Sequence, residues 1–213
     1  LPVRLIQSCR ASGRQFFVAA FEDQTDPETV DGVPHAWVRL GAAGTLLEKL
    51  SEARVEDLVF AGRIRRPSLS ALRPDARAAA LLARAGARAL GDDGILSEVI
   101  RELEEREGFR VIGPDSLLPD DLAQLGVYGA TEPDAAALTD IQRGVEAARG
   151  IGALDIGQAA VVQQGLVLAV EAIEGTDAML ARCRELCREG PGGVLVKVKK
   201  PNQEARADLP TVG

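Results

Sequence analysis

Short apolar runs alternate with helix-length amphipathic segments along the first half of the chain, and this alternation restricts the possible folds most. Residues 15–21, 35–40, 55–62 and 109–113 have strand composition, whereas 2–13, 42–54, 76–90 and 91–108 have helical spacing. Such alternation is typical of a parallel sheet with helices on both faces. The segment 55–62, "VEDLVFAG", is expected to be a buried strand. We therefore predict an α/β fold whose N-terminal part is a Rossmann-like parallel sheet domain.

The second half has a different pattern. A loop-rich segment with three prolines, "PDSLLPDDLAQLGVYGATEPD", separates it from the first half, and we place the boundary near residue 130. The predicted domains are residues 1–130 and 131–213. The second begins with a helix, continues with a hairpin that turns at "QQG", and ends with a helix over 176–188 and the strand "GGVLVKVKK". This order predicts a C-terminal α+β domain.

Composition excludes several classes of protein. The chain of 213 residues has a net charge of −7, so no overall positive field attracts nucleic acid. Its single histidine, His35, rules out a zinc site built on several histidines, and we expect a structural or surface role for it. Cys183 and Cys187 are expected to be small buried hydrophobic residues. No apolar run is long enough to span a bilayer, so we expect a cytoplasmic protein.

A basic loop, "GRIRRPSLSALRPD", follows the third predicted strand. Ligands of parallel sheets bind beyond the carboxyl ends of the strands, and guanidinium groups suit phosphate. Arg63 and Ser68 are therefore candidate ligand-binding residues. A solvated basic loop without a ligand is the alternative, and the sequence leaves it open.

The stretch "VEAIEGTDAML", residues 170–180, places three carboxylates around a glycine at a strand-to-helix junction. Thr176 is a candidate helix cap, and Gly175 would allow a phosphate to approach the helix start. Because Glu171, Glu174 and Asp177 would repel phosphate, Mg²⁺ is the natural mediator. A capped helix and a metal–phosphate site both remain open.

The C-terminal stretch "VKVKKPNQEARADLPTVG" adds positive charge. Lys197 and Lys199 lie two residues apart, which places them on one face if the strand continues, and Arg206 follows. Cations beside carboxylates and a glycine turn are typical components of a phosphoryl-transfer site. An aspartate such as Asp208 could then act as a base or as a metal ligand.

Several segments together resemble one family. "ALDIGQAAVV", "GLVLAVEAIEGTDAML" and "KKPNQEARADLPTVG" resemble the UDP-2,3-diacylglucosamine pyrophosphatases of lipid A synthesis, of the LpxI type. The segments "AGRIRRPSLSALRPD" and "GDDGILSEVIRELEEREGF" fit the same family in the same order, so the resemblance covers nearly the whole chain.

The resemblance implies an enzyme with a UDP-binding N-terminal domain and a C-terminal domain for the acylated sugar phosphate. The implied reaction is Mg²⁺- or Mn²⁺-dependent hydrolysis to UMP and 2,3-diacylglucosamine 1-phosphate (lipid X). Asp208 matches the family's catalytic aspartate and is also an expected metal ligand, with Asp177, Glu174 and Glu171. The expected substrate-binding residues are Gly175, Thr176, Lys197, Lys199, Arg206, Gln158, Arg63 and Ser68.

A lipid substrate also implies peripheral contact with the inner membrane of a Gram-negative cell, and an apolar groove for acyl chains. The candidate groove residues are Val161, Val162, Leu166, Leu168 and Met179, and ordinary core packing is the alternative for each of them. We expect no nucleic-acid partner, and a homodimer is left open. The family's first strand and glycine-rich turn, and the segment after "PTVG", are expected to lie beyond the two ends. The alternative function is a non-catalytic nucleotide-sugar or lipid-binding sensor.

Overall fold

The computed structural model describes residues 1–62, 64, 68–86, 92–201, 204 and 206. Within them the chain forms two compact units, one comprising Leu1–Ala123 together with Arg206, and one comprising Gln124–Glu204. Both units mix helices with small sheets, which confirms the α/β class in its general form.

The first unit contains five α-helices and four short strands in its described residues. They are α1 (Pro2–Ala11), β1 (Val18–Phe21), β2 (His35–Val38), α2 (Ala43–Glu52), β3 (Asp57–Leu58), α3 (Leu69–Leu72), α4 (Ala76–Ala85), α5 (Asp92–Glu105) and β4 (Arg110–Val111). Helix α1 has Pro2 in its first turn and buries Leu5, Ile6 and Cys9. Gly13 follows it with a φ of 69°, a conformation that suits glycine after a helix end.

The strands of the first unit pair in parallel but in two separate ladders. Strand β1 pairs with β2, from Val18 opposite His35 to Phe21 opposite Val38, and β3 pairs with β4. The parallel pairing agrees with the sequence pattern, but the described residues do not confirm a continuous Rossmann-like sheet.

The expected buried strand at 55–62 is wrong in its extent. Only Asp57 and Leu58 are in strand pairing, and both are half-buried. The Asp57 carboxylate binds two guanidinium groups, those of Arg14 and Arg110, each at 2.6 Å.

The second unit is a three-stranded antiparallel sheet between two helices. Its elements are α6 (Ala135–Ala153), β5 (Ala159–Gln163), β6 (Leu166–Val170), α7 (Gly175–Cys183) and β7 (Val194–Lys197). Strand β5 is central, with β6 and β7 on either side, and it is buried along its whole length. The sequence pattern predicts this helix, hairpin, helix and strand in the observed order.

Helix α6 lies close to the sheet because its inner face is built from small residues. Gly144, Ala148 and Gly152 are buried, and a Cβ added to Gly144 would lie 2.5 Å from Val196 Cγ2. Asp134 caps the helix by accepting a hydrogen bond from the Ala137 N–H at 2.8 Å. The opposite face of the sheet carries the apolar core, formed by Ala159, Val161, Ala169, Met179 and Cys183.

Candidate active site

Two charged side chains flank the start of the central strand β5. Lys197, at the end of β7, is the register partner of Ala159. On the other side the Glu171 N–H donates to the Ala159 carbonyl at 2.9 Å, just beyond the end of β6. Residues that face each other across antiparallel strands point to the same side of the sheet. Glu171 and Lys197 both lie opposite Ala159, so their side chains point to the same face at the same end of the sheet.

The Thr176 hydroxyl connects these two charges. It donates to Glu171 Oε1 at 2.5 Å and accepts from Lys197 Nζ at 2.9 Å. The second carboxylate oxygen, Glu171 Oε2, accepts from the backbone N–H of Gln158 at 3.0 Å. Only 6% of Glu171 is exposed. Thr176 and Lys197 are half-buried. We call Glu171, Thr176 and Lys197 the buried triad after its buried carboxylate, and charge-assisted hydrogen bonds join the three side chains.

Thr176 does not cap helix α7, contrary to the expectation. The helix begins at Gly175, so Thr176 lies inside the first turn, and Glu174 is the N-cap residue. The Thr176 hydroxyl instead binds the two other side chains of the buried triad, because a carboxylate and an ammonium group are stronger partners than a backbone N–H. Gly175 has a φ of 81°, which favours glycine, and a Cβ built there would meet no atom of the described residues within 4 Å.

Glu174 forms an ion pair with a residue of its own helix. Its Oε1 accepts from Arg182 Nη2 at 3.0 Å and from Arg182 Nε at 3.3 Å. Arg182 also donates to the Val170 carbonyl at 2.7 Å, which fixes the guanidinium group at the end of β6. A hydrogen bond from its own backbone and the bond from Arg182 hold the pKa of Glu174 below its usual value.

Protein contacts surround the carboxylates that were expected to bind magnesium. Both oxygens of Glu171 accept protein hydrogen bonds, and Glu174 is paired with Arg182. Across the described part of the chain, no group of three or more His, Cys, Asp or Glu side chains could hold a metal ion. Asp177 therefore does not join the two glutamates in such a group, and Asp208 lies outside the described residues. Binding of Mg²⁺ or Mn²⁺ stays a prediction.

Other expected substrate-binding residues have different surroundings. Gln158 adjoins the buried triad through its backbone, and its side-chain Oε1 is buried with no hydrogen-bond partner in the described structure. Lys199 is exposed. Arg206 belongs to the first unit, where it donates to Glu104 Oε1 at 2.6 Å and to the Val111 carbonyl at 3.2 Å.

In the basic loop, Ser68 is the N-cap of α3, and its hydroxyl accepts from the Ala71 N–H at 3.2 Å. Arg63 lies outside the described residues. His35 is exposed and binds the Val33 carbonyl through Nδ1 at 2.8 Å. Phosphate binding by this loop stays a prediction.

Three residues expected in an acyl-chain groove are core residues instead. Val162 and Met179 are fully buried, and Val161 is 8% exposed. Leu168 packs against the core, and Leu166 is half exposed on the edge strand. Cys183 is buried as expected, and burial raises the pKa of its thiol, but Cys187 is exposed.

Sequence reasoning missed two buried charged residues of the second unit. The Asp140 carboxylate accepts from the backbone N–H groups of Gln164 and Gly165, at 2.9 and 2.6 Å. Lys200, which is 9% exposed, donates to Asp155 at 2.7 Å. A charged residue at an otherwise apolar position on a helix is the signal that could have identified Asp140.

Fold and site define a two-domain α/β protein with a buried carboxylate–hydroxyl–ammonium triad in its C-terminal domain. The model of the LpxI N-terminal domain matches residues 1–121, and that of the LpxI C-terminal domain matches residues 124–213. The chain is also 42% identical over 220 residues to the UDP-2,3-diacylglucosamine pyrophosphatase LpxI of Caulobacter vibrioides. That alignment covers all of this chain and 78% of the relative. The chain belongs to the LpxI family, which confirms the resemblance seen in the sequence.

The family models divide the chain between residues 121 and 124, close to the division of the structure into compact units. The sequence pattern placed this boundary near residue 130. Among the described helices, none has the length and apolar character needed to cross a membrane.

Proposed function

We propose that this chain hydrolyses the pyrophosphate bond of UDP-2,3-diacylglucosamine, with UMP and lipid X as products, in lipid A biosynthesis. The observation that carries the proposal is the similarity to an LpxI pyrophosphatase along the entire chain, together with matches to both domains of the family. Similarity confined to one domain would support only binding of one half of the substrate.

The buried triad gives the second unit a cationic group beside the start of a helix. In the proposal, Lys197 binds the phosphate of the acylated sugar, near Gly175, and Thr176 holds the ammonium group in place. An ammonium group that is already oriented stabilises the charge of a phosphoryl group without further reorganisation. Asp208 is the proposed catalytic residue, and Arg63 and Ser68 are proposed to bind the UDP half in the first unit.

The direct test is release of UMP from UDP-2,3-diacylglucosamine by the purified chain. We expect turnover by the unchanged chain and its loss in Asp208→Ala, with substrate binding retained. Asp120→Ala, a change of an exposed aspartate, is the matched control and should hydrolyse at the normal rate. Hydrolysis in ¹⁸O-labelled water should place the label in lipid X, if water attacks the phosphorus on the sugar side.

Two outcomes would contradict the proposal. Full activity of Asp208→Ala would exclude the proposed catalytic residue. Tight substrate binding without UMP release, under every metal condition, would instead identify a binding or sensor protein. Dependence on Mg²⁺ or Mn²⁺ is tested separately, by removing metal with EDTA and adding back each ion while UMP release is followed.

A further inference from the structure

We propose that Glu171 is a positioning residue, which acts through the Thr176 hydroxyl to orient the Lys197 ammonium group for the phosphate of the acylated sugar. This inference rests on the proposed function, because it assigns a role within the same site. It is an alternative to the expected role of Glu171 as a metal ligand, and it is argued from the hydrogen bonds that both carboxylate oxygens accept from the protein.

The first step concerns the direction of the Thr176 hydroxyl. A threonine hydroxyl has one proton to donate and lone pairs that accept. Its proton is directed to Glu171 Oε1 at 2.5 Å, so the lone pairs remain for Lys197 Nζ at 2.9 Å. The carboxylate thus determines which way the hydroxyl points, and the hydroxyl in turn fixes one contact of the ammonium group.

The second step concerns the rigidity of Glu171 itself. The backbone N–H of Gln158 donates to Oε2, and the Glu171 backbone is tied to Ala159, so the side chain is held at both ends. With 6% of the residue exposed, water has little access to replace these bonds. A site whose orienting groups are already held in place binds its ligand without the entropic cost of ordering those groups.

The third step identifies what this arrangement would bind. The triad lies in the second unit, at the ends of β6 and β7, and its cation is the Lys197 ammonium group. An ammonium group suits a phosphate monoester or diester oxygen, whereas the single Thr176 proton is already donated to Glu171. The inference therefore predicts an effect on binding of lipid X and of the intact substrate, and no effect on binding of UMP.

Two near-isosteric variants test this role, Glu171→Gln and Thr176→Val, with Thr176→Ser as the conservative variant. The measurements are KM and kcat for UMP release, and the Kd of lipid X in detergent micelles and of UMP by calorimetry. We expect Glu171→Gln and Thr176→Val each to raise KM and the Kd of lipid X by about 10- to 100-fold, as loss of a charge-assisted hydrogen bond implies. Thr176→Ser should remain within about 3-fold of the unchanged chain, since it keeps the hydroxyl.

The double variant Glu171→Gln/Thr176→Val should have a KM and a Kd of lipid X no higher than those of the more impaired single variant, because both changes break the same chain of contacts. Glu146→Gln, which removes one partner of an exposed ion pair on α6, is the control and should leave both constants unchanged. A lowered melting temperature with unchanged KM and unchanged Kd for lipid X would overturn the inference, as would a loss confined to kcat. Absence of UMP release by the unchanged chain would refute the proposed function, while the Kd of lipid X would still decide the role of Glu171.

Discussion

At the scale of single residues, Asp140 shows how one buried carboxylate stabilises a turn far from it in sequence. It lies on α6 and is 6% exposed, and it accepts from both N–H groups of the Gln164–Gly165 turn. Asp140→Ala would leave those two donors without this partner. We expect the free energy of unfolding to fall by about 2–4 kcal/mol, measured by urea unfolding.

The adjacent residue offers a control for this prediction. Thr139 is exposed, and its hydroxyl donates only to the Ala135 carbonyl of its own helix in the bonds described. Thr139→Ala should change the unfolding free energy by less than about 0.5 kcal/mol. An Asp140→Ala chain with the same urea midpoint as the parent would contradict the role assigned to Asp140.

The residues of the candidate site could be found from sequence, but not their partners. Glu171, Thr176 and Lys197 stand out as polar residues beside apolar strands, and the structure joins them by hydrogen bonds. Whether a carboxylate faces a metal, a hydroxyl or a guanidinium depends on side-chain rotamers and on strand register. Neither follows from spacing along one chain, so the sequence did not predict that Thr176 would bind Glu171 and Lys197 rather than cap α7.

At the scale of elements, we expect replacement of two glycines of α6 by alanine to change the unfolding free energy in opposite directions. Gly144→Ala would place a Cβ 2.5 Å from Val196 Cγ2, and we expect overpacking to lower the unfolding free energy by about 1–3 kcal/mol. Gly150 is exposed in the same helix, and no atom of the described residues lies within 4 Å of an added Cβ. Gly150→Ala should raise the unfolding free energy by about 0.5–1 kcal/mol.

Thermal unfolding of the two variants checks this pair directly. Because the chemical change and the helix are the same, the difference between the two melting temperatures isolates the contact of α6 with the sheet. Equal melting temperatures would mean that the sheet moves to accommodate a methyl group at position 144.

Asp75 joins two helices of the first unit through hydrogen bonds, and we expect it to make the free energy of unfolding depend on pH. Its Oδ1 accepts from the Ala78 N–H, which caps α4, and its Oδ2 accepts from the Gly44 N–H in α2. Partial burial acts to raise its pKa, but the hydrogen bonds from Ala78, Gly44 and Arg77, with the charge of Arg39, outweigh burial and lower the pKa below 3.8.

A carboxyl whose pKa is lowered by folding stabilises the folded state fully above its unfolded pKa. That contribution disappears as the pH falls through the folded pKa. We therefore expect the difference in unfolding free energy between the parent and Asp75→Ser to be constant from pH 7 to 5 and to shrink below pH 3.8. Urea titrations at several pH values measure it, and a difference that does not shrink in acid would contradict the assignment.

Element type could be predicted well where local chemistry is decisive. The hairpin turn at Gln164 and Gly165 needs two positive φ values, observed as 54° and 77°, and "QQG" supplies the glycine for one of them. The prediction of a strand over residues 55–62 was wrong in extent because apolar composition does not show how far a strand pairs. The pairing of this segment ends after Leu58, and the extent of strand pairing depends on tertiary context rather than on composition.

At the scale of the whole molecule, the arrangement of strands into sheets was the least predictable feature. Alternating strands and helices imply parallel pairing, and β1–β2 and β3–β4 are parallel. Continuity of a sheet depends on which strand lies beside which, and this is set by contacts between segments distant in sequence. In the second unit the hairpin fixes one neighbour of β5 locally, so the sequence order there constrains the sheet more closely.

The net charge of the whole chain determines how it can contact a membrane. A net charge of −7 opposes binding to anionic lipid, so we expect the predicted peripheral contact to depend on apolar side chains. Ile173 is fully exposed, beside the start of α7, and is the residue we expect to contribute. In sedimentation assays we expect more retention on phosphatidylcholine vesicles than on phosphatidylglycerol vesicles at low salt. Added salt should increase retention on the anionic vesicles, because it screens the repulsion.

Ile173→Ser should lower partitioning to phosphatidylcholine vesicles by about 10-fold, because the variant loses one aliphatic side chain that would be buried in the lipid. Leu125→Ser removes another fully exposed aliphatic side chain, close in sequence to the acidic Asp120 and Asp121, and serves as the matched control. It should leave partitioning unchanged. Retention on anionic vesicles that weakens as salt is added would show that a local basic surface dominates over the net charge, and would contradict the apolar contact predicted at Ile173.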